Sequence, residues 1–273
     1  MREPGVPSMI VANNVLDLIS RTPMVRINSL TGPNDSTIFA KLERFNIGGS
    51  VKDRLALYII EYAEAAGRLN RENNILEATS ANTGIALAMI AAAKKYKLTI
   101  VMPESVSIER RRIIRAYGAE LSPAAKGTAG AIELKQKMLK EKPEKYIDVD
   151  QFKDPANILA HYETTGREIL EQTHGQLDMI VRSLRNPNEP FPTLLFRNEW
   201  FDEVIEISDA EKQVTFQVAR EVAKQEGLLI GMSSGAIIHI ALKKAKEFGK
   251  EKTIVAILPS AGERYLSTPL YAE

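Results

Sequence analysis

A lysine just beyond a glycine pair is the first place where this sequence offers covalent chemistry. In Gly48-Gly49-Ser50-Val51-Lys52-Asp53-Arg54 two glycines end an extended segment, and Ser50 with Asp53 makes an S-x-x-D cap for a helix running to Ala66. Lys52 then falls in the first helical turn, where the positive end of the macrodipole disfavours an ammonium and favours the neutral, nucleophilic amine. Such an amine suits Schiff-base chemistry; the plain alternative is one more solvated lysine. Thr79-Ser80-Ala81-Asn82-Thr83-Gly84 joins a strand to a helix, so its hydroxyls and the free N–H groups of the first turn form a cup for a carboxylate or phosphate. Its residues also serve as ordinary helix caps. Gly231-Met232-Ser233-Ser234-Gly235 matches G-x-S-x-G between an apolar strand and a helix. A hydrolase elbow is excluded, because no aspartate follows Ser233 and the later histidine, His239, lies on the adjoining helix. Ser233 remains a hydroxyl at a strand end, or a helix cap.

Other chemistries lack their residues. There is no G-x-x-x-x-G-K-[ST] phosphate loop and no G-x-G-x-x-G dinucleotide fingerprint. His161, His174 and His239 occur singly, which argues against a metal site. The chain has no cysteine, so disulfides, thiolate metal sites and a Cys nucleophile are out. Lys plus Arg total 36 against 35 Asp plus Glu, and this balance gives no broad field for nucleic acid or an anionic membrane. The Arg110-Arg111-Arg112 run reads as a solvated helix face. No secretory signal stands at Met1 to Ser20, and the longest apolar run, Ile85 to Ala93, is too short to span a bilayer. A small-molecule partner and a cytoplasmic location are expected.

With 273 residues, 44% of them hydrophobic, the chain can bury one large core or two smaller ones around such a site. Strand-like and helical runs alternate: Ile75–Ala78, a helix to Tyr96, Leu98–Met102, and a helix Ser107–Tyr117. Tyr146–Val149, a helix from about Asn157 to Thr173, and Leu177–Val181 follow. Later come Glu203–Ile207, a helix Asp209–Glu226, Leu228–Ile230, a helix Gly235–Phe248 and Thr253–Leu258. Alternation of this kind predicts parallel strands with right-handed helical crossovers, hence an α/β protein with ligands at the carboxyl ends of the strands. Pro23–Ile27 and Ile38–Leu42, around a polar loop, read as a hairpin capping a sheet edge. The rhythm breaks once: after Val181 no turn and helix come, but a stretch with three prolines between 187 and 192.

Taken together, these segments resemble the fold-type II pyridoxal-phosphate enzymes, in the cysteine synthase and cystathionine β-synthase branch. The match runs from about Asn14 to Pro269. It is carried by Arg21-Thr-Pro-Met-Val-Arg-Ile, Lys41-Leu-Glu with Asn46 to Arg54, Glu77 to Ala88, and Pro103-Glu-Ser-Val-Ser-Ile-Glu-Arg-Arg. Arg115-Ala-Tyr-Gly-Ala-Glu-Leu, Gln151 to Asn157, His161-Tyr-Glu-Thr-Thr-Gly and Gly262-Glu-Arg-Tyr-Leu-Ser-Thr continue it. The resemblance implies two open, twisted, mostly parallel sheets with helices on both faces, tryptophan synthase β-like. It also implies a smaller mobile domain at 47–152 and a larger one from 10–46 plus 153–273. Lys52 would hold pyridoxal 5'-phosphate as a Schiff base, Asn82 would bond the ring hydroxyl, and Ser233 would face the pyridine nitrogen. Thr79, Ser80, Thr83 and Gln151 would bind the amino acid's carboxylate. The implied reaction is a β-replacement making L-cysteine from O-acetylserine and sulfide, by a homodimer with a serine acetyltransferase as further partner. Alternatives are an O-phosphoserine-using or cystathionine β-synthase-like enzyme taking a thiol, and a non-catalytic relative.

The chain departs from this family at three places. Ile47 stands where proline is common and Ala81 where glycine is common. More seriously, a glycine-rich G-T-G-G-T phosphate loop, with the helix and strand after it, is missing beyond Val181–Arg182, on the scale of a βαβ unit of roughly 30 residues or more. Family-like register resumes at Ser183-Leu184 and Phe191-Pro-Thr-Leu-Leu-Phe, so the break reads as a segment omitted from this sequence rather than a true deletion.

Overall fold

The structure, a computed structural model, describes residues 11–80, 82–125, 127–182, 195 and 197–271. Ala81 and the proline-containing junction at 183–194 therefore lie outside the described residues. The chain opens with strands β1 (Met24–Ile27) and β2 (Thr37–Leu42), then helix α1 (Lys52–Ala65). β3 (Asn74–Ala78), α2 (Asn82–Lys94), β4 (Lys97–Pro103), α3 (Ile108–Ala116), β5 (Glu120–Ala124), α4 (Gly127–Glu141) and β6 (Tyr146–Asp148) form a run of crossovers. α5 (Ala156–Ala160), a π-helical turn (His161–Gly166) and α6 (Arg167–Gln172) lead to β7 (Met179–Val181). α7 (Asp209–Glu226), α8 (Met232–Phe248) and β8 (Thr253–Leu258) follow.

The strands make two sheets, in the orders β1-β2-β8-β7 and β5-β4-β3-β6. Only β1 and β2 pair antiparallel, with Ile27 opposite Ile38, as the hairpin pattern predicts. β3 is buried along its whole length and β4 everywhere but Lys97, the burial of strands covered on both faces. In the second sheet the chain runs outward from β3 through β4 to β5, then returns to pair β6 on the other side of β3. That reversal makes a crevice at the carboxyl ends of β3 and β6, where open α/β sheets take their ligands.

Several local expectations are corrected. Glu203–Ile207 forms no strand: Ile205 and Ile207 pack against the core of the first sheet while Val204 is exposed, so the segment keeps its apolar alternation without joining a ladder. Leu228–Ile230 shrinks to one bridge between Ile230 and Ala261. β5 and α4 went unread: β5 is an edge strand whose Pro123 breaks the expected pattern, which an edge tolerates. The helix expected from Asn157 to Thr173 contains the π turn at His161.

One buried ionic cluster fixes the start of α1. Arg54 gives Nε and Nη2 to the Glu43 carboxylate at 2.7 and 2.9 Å, and Nη1 and Nη2 to Glu168 at 2.6 and 2.8 Å. Lys41 Nζ donates to Glu168 at 2.7 Å and to the Thr22 carbonyl at 2.7 Å, and the Thr22 hydroxyl donates to Glu43 at 2.8 Å. Two cations and two anions balance, so burial strands no net charge. Burial pushes the Glu168 carboxyl up, but hydrogen bonds from Arg54 and Lys41 outweigh it and hold the group at about 2. The cluster ties β2, α1 and α6 together one turn from Lys52. Replacing Arg54 with alanine leaves two carboxylates short of a partner and is expected to lower unfolding stability by about 3–5 kcal/mol. A urea midpoint unchanged from wild type would show that the cluster is not holding α1.

Candidate active site

Backbone pairing brings two helix starts together. The Val51 N–H donates to the Pro259 carbonyl at 2.9 Å, and Ser50 bridges Ser260. On the other flank Gly231 N–H donates to the Ser260 carbonyl at 3.0 Å, and Gly262 N–H to Leu229 at 3.1 Å. The segment after β8 is thus a seam with the entry to α1 on one side and the entry to α8 on the other. Two strand spacings separate those entries, roughly 10 Å. Lys52 opens α1 and Ser233 lies in the first turn of α8. Gly231 is required by this closeness, since a Cβ there would meet Ser260 Oγ at 2.6 Å and the Tyr265 ring at 2.9 Å.

Lys52 is partly accessible, yet its amine lies deep among protein atoms, and desolvation lowers its pKa from the ordinary lysine value. The neutral amine expected of Lys52 is therefore favoured by burial. The capping expectation is corrected in detail. Ser50 Oγ accepts the Lys52 N–H at 3.3 Å, but the Asp53 carboxylate turns back to the Gly48 N–H at 2.6 Å and closes the glycine turn instead of a reciprocal box. Burial lifts the Asp53 carboxyl to about 7, against the opposing pull of that N–H and of Arg264. Gly49, at φ +80°, sits in the left-handed region that glycine accepts without strain.

Across from this turn, Arg264 joins Asn82 to the lysine loop. Its Nη1 donates to Asn82 Oδ1 at 2.6 Å, and its Nη2 donates to the Gly48 carbonyl. A guanidinium only donates, so the atom facing it must be the amide oxygen. Asn82 Nδ2 is then left as a donor with no acceptor among the described residues, which is what a phenolate oxygen of a pyridoxal ring requires. At the crevice between β3 and β6, Thr83 Oγ1 donates to Gln151 Oε1 at 2.7 Å, and the Gln151 carbonyl accepts from Asn157 Nδ2 at 2.8 Å. Thr79 and Gln151 are buried. Ser80 and Ser233 face a common cleft of about 570 Å³, shared with Arg110, Thr128, Tyr265 and Thr268. Lys52 and Asn82 are not among the residues lining that cleft.

Three residues went without a site role at the level of sequence. Arg110 is not a solvated face: its guanidinium stacks 4.9 Å over the Tyr265 ring and donates to the Ser80 carbonyl at 3.2 Å. Its spacing of four from the buried Ile114 was the available signal. Arg264 stood in a quoted motif. His161 lies in the π turn, with Nδ1 3.0 Å from Thr165 Oγ1; such turns recur at functional sites. Burial, then the positive charges of Lys52, Arg54 and Arg182, push its imidazole down to about 3.

The family described as pyridoxal-phosphate dependent enzyme matches residues 15–186. A cysteine synthase of Staphylococcus aureus is 40% identical over 306 aligned positions, covering 95% of this chain and 97% of that one. Since 95% of 273 residues is about 259, about 47 of those positions face no residue of this chain. Among solved structures, the cysteine synthase (OASS) of Entamoeba histolytica superposes with a TM-score of 0.90 at 36% identity, covering 99% of this chain and 94% of that one. A hydrogen sulfide-producing enzyme of Fusobacterium nucleatum gives 0.86 at 34% identity, covering 95% of this chain and 100% of that one. Among the described residues no helix is long and apolar enough to cross a membrane.

The His161 imidazole carries a testable sign. Its folded value of about 3 lies below the ordinary 6.5, so unfolding takes up a proton in that window. The stability it contributes is complete above about 6.5 and is lost as pH falls toward 3. The His161 C2-proton resonance, assigned with His161→Gln, is expected to stay fixed between about pH 8 and 5; a midpoint near 6.5 would place the ring in solvent.

Proposed function

The chain belongs to the pyridoxal-phosphate dependent enzymes, and we propose that it makes L-cysteine from O-acetylserine and sulfide, with acetate as the other product. The observation that carries this reading is the amine of Lys52, desolvated at the start of α1 and joined through one backbone seam to the helix of Ser233. The residues present fit a pyridoxal ring. Lys52 would supply the amine for its aldehyde, Asn82 Nδ2 a donor for its hydroxyl, and Ser233 a hydroxyl for its nitrogen.

When bound, the coenzyme supplies the electron sink that makes the amino acid's α-proton removable. The residues of this chain do the rest. Lys52 Nζ, neutral because charging it in place is costly, takes the proton from the α-carbon. Thr79, Ser80, Thr83 and Gln151 hold the carboxylate, with Gln151 oriented by Asn157 and Thr83. Acetate leaves the β-carbon, sulfide adds there as HS⁻, and Lys52 Nζ returns the proton to the α-carbon, freeing the amine again. With a neutral Ser233 hydroxyl at its nitrogen, where a carboxylate would keep that nitrogen protonated, the bound ring would be a weaker sink, which would favour elimination over transamination. Domain 47–152, closing over the carboxylate, excludes water from the exchange. A homodimer and a serine acetyltransferase partner, both implied by the resemblance, belong to the same proposal.

The test begins with the full chain and pyridoxal phosphate. A visible absorbance band is expected that Lys52→Ala abolishes, together with a loss of cysteine formation of about a thousandfold. An unchanged band would remove Lys52 from the role. Faster turnover of O-phosphoserine, or of serine with homocysteine, than of O-acetylserine with sulfide would reassign the substrates.

A further inference from the structure

Two consecutive residues of the turn after β8 hold the strand-to-helix loop that follows β3. Arg264 bonds the Asn82 amide, and the Tyr265 ring carries the Arg110 guanidinium at 4.9 Å, from which Nη1 donates to the Ser80 carbonyl at 3.2 Å. The turn itself has no slack, since a Cβ on Gly262 would meet the Leu229 side chain at 2.7 Å and the Ile230 carbonyl at 2.9 Å. Tyr265 is buried in the core of the first sheet, and Ile114, one helical turn beyond Arg110, in the core of the second. The guanidinium therefore joins an element of one core to an element of the other, and Ser80 is bonded to that joint.

The partner of Arg110 matters as much as its place. The buried cations Lys41, Arg54 and Lys135 each pair with a carboxylate at 2.9 Å or less. Among the described residues Arg110 makes no ion pair, and the Ser80 carbonyl is the one acceptor its guanidinium has, Nε being buried without a partner. A carbonyl fixes direction without cancelling charge, so the cation still attracts a carboxylate arriving at the neighbouring hydroxyls. Of the described residues lining the cleft shared by Ser80 and Ser233, Arg110 alone is charged. Holding the Ser80 carbonyl also fixes the plane of the peptide unit that carries it, in the middle of the loop.

We propose that Arg110, braced on Tyr265 and bonded to the Ser80 carbonyl, is the positioning residue that keeps the 79–83 loop set for an amino-acid carboxylate. The assignment rests on the reading of that loop given above and adds the group that holds it. Binding of the carboxylate then depends on Arg110, whereas binding of the coenzyme, through Lys52, Asn82 and Ser233, does not.

The experiment compares L-serine with ethanolamine, which is serine without its carboxylate. Full-length wild type, Arg110→Met, Arg110→Lys and Arg112→Ala, loaded with pyridoxal phosphate, are titrated with each, and the dissociation constant is read from the change in the visible band. Methionine keeps an apolar stem on Tyr265 and removes donor and charge; Arg112→Ala removes an equal charge from an exposed position of α3. Wild type is expected to prefer serine. Arg110→Met is expected to lose about tenfold in affinity for serine, with ethanolamine and the coenzyme bound as before. Arg110→Lys, with the charge but not the planar face, is expected to fall between, and Arg112→Ala to match wild type. In turnover the same loss is expected as a raised KM for O-acetylserine with kcat changed less. Equal weakening of both ligands, or of neither, by Arg110→Met overturns the role of Arg110 and leaves the reading of the loop standing. Loss of the coenzyme band in Arg110→Met and Arg110→Lys alike also overturns it, because the effect is then not confined to the carboxylate. A wild type that holds serine no better than ethanolamine, or takes up no coenzyme, overturns the underlying reading and this assignment with it.

Discussion

The segment from Pro259 to Gly262 accepts backbone hydrogen bonds from one side and exchanges them with the other, and nearly every functional distance in this molecule follows from that. Val51 hangs from its first carbonyl and Gly231 from its second. Two helices that are remote in sequence therefore begin beside each other, one presenting an amine and the other a hydroxyl. Backbone pairing is the right instrument for the task, because its spacing is set by hydrogen-bond length and does not vary with side-chain rotamers. The packing around it permits no slack: a methyl group on Gly231 would overlap both Ser260 and Tyr265.

The seam alone would leave α1 free to pivot, and the buried ions remove that freedom. Arg54 stands two residues after Lys52 and is clamped by two carboxylates from different elements, Glu43 after β2 and Glu168 on α6. Arg264 does the corresponding work on the opposite wall, holding the Gly48 carbonyl and the Asn82 amide with one guanidinium. The lysine loop and the asparagine loop thus keep their spacing through a rigid planar group. Its exclusively donating character also decides which atom of Asn82 it holds, the amide oxygen. In both places arginine is used where a lysine would supply charge without direction.

Residues next to glycines and hydroxyls in strand-to-helix turns were legible in the sequence because those turns have a local code. Lys52 after Gly48-Gly49 and Asn82 after β3 needed only capping and turn chemistry to be placed at helix starts. The crevice that receives Thr83 and Gln151 followed from the alternation of strands and helices. Arg110 was misread because a run of three arginines has the composition of a solvated face, and only its helical spacing from Ile114 distinguishes it from Arg112. Arg264 and Glu168 act through contacts more than a hundred residues away in sequence, which no local pattern encodes. β5 escaped because Pro123 argues against a strand unless the strand is known to lie at an edge.

The same first sheet bears on what the chain lacks beyond Val181. Its centre is made by β2 and β8, paired in register over six residues, with Ile38, Ala40, Ile254 and Ala256 fully buried. β7 contributes three residues at the border, and its Ile180 is 42% exposed. A strand and helix cut from between β2 and β8 would open that core, whereas residues absent after β7 uncover only the outer side of a border strand. Parallel strands are normally covered on both sides, so an apolar residue exposed on β7 is where the absence should register. The cost therefore falls on the edge of the sheet, while the seam holding Lys52 and Ser233 is built from described residues at β8 and beyond.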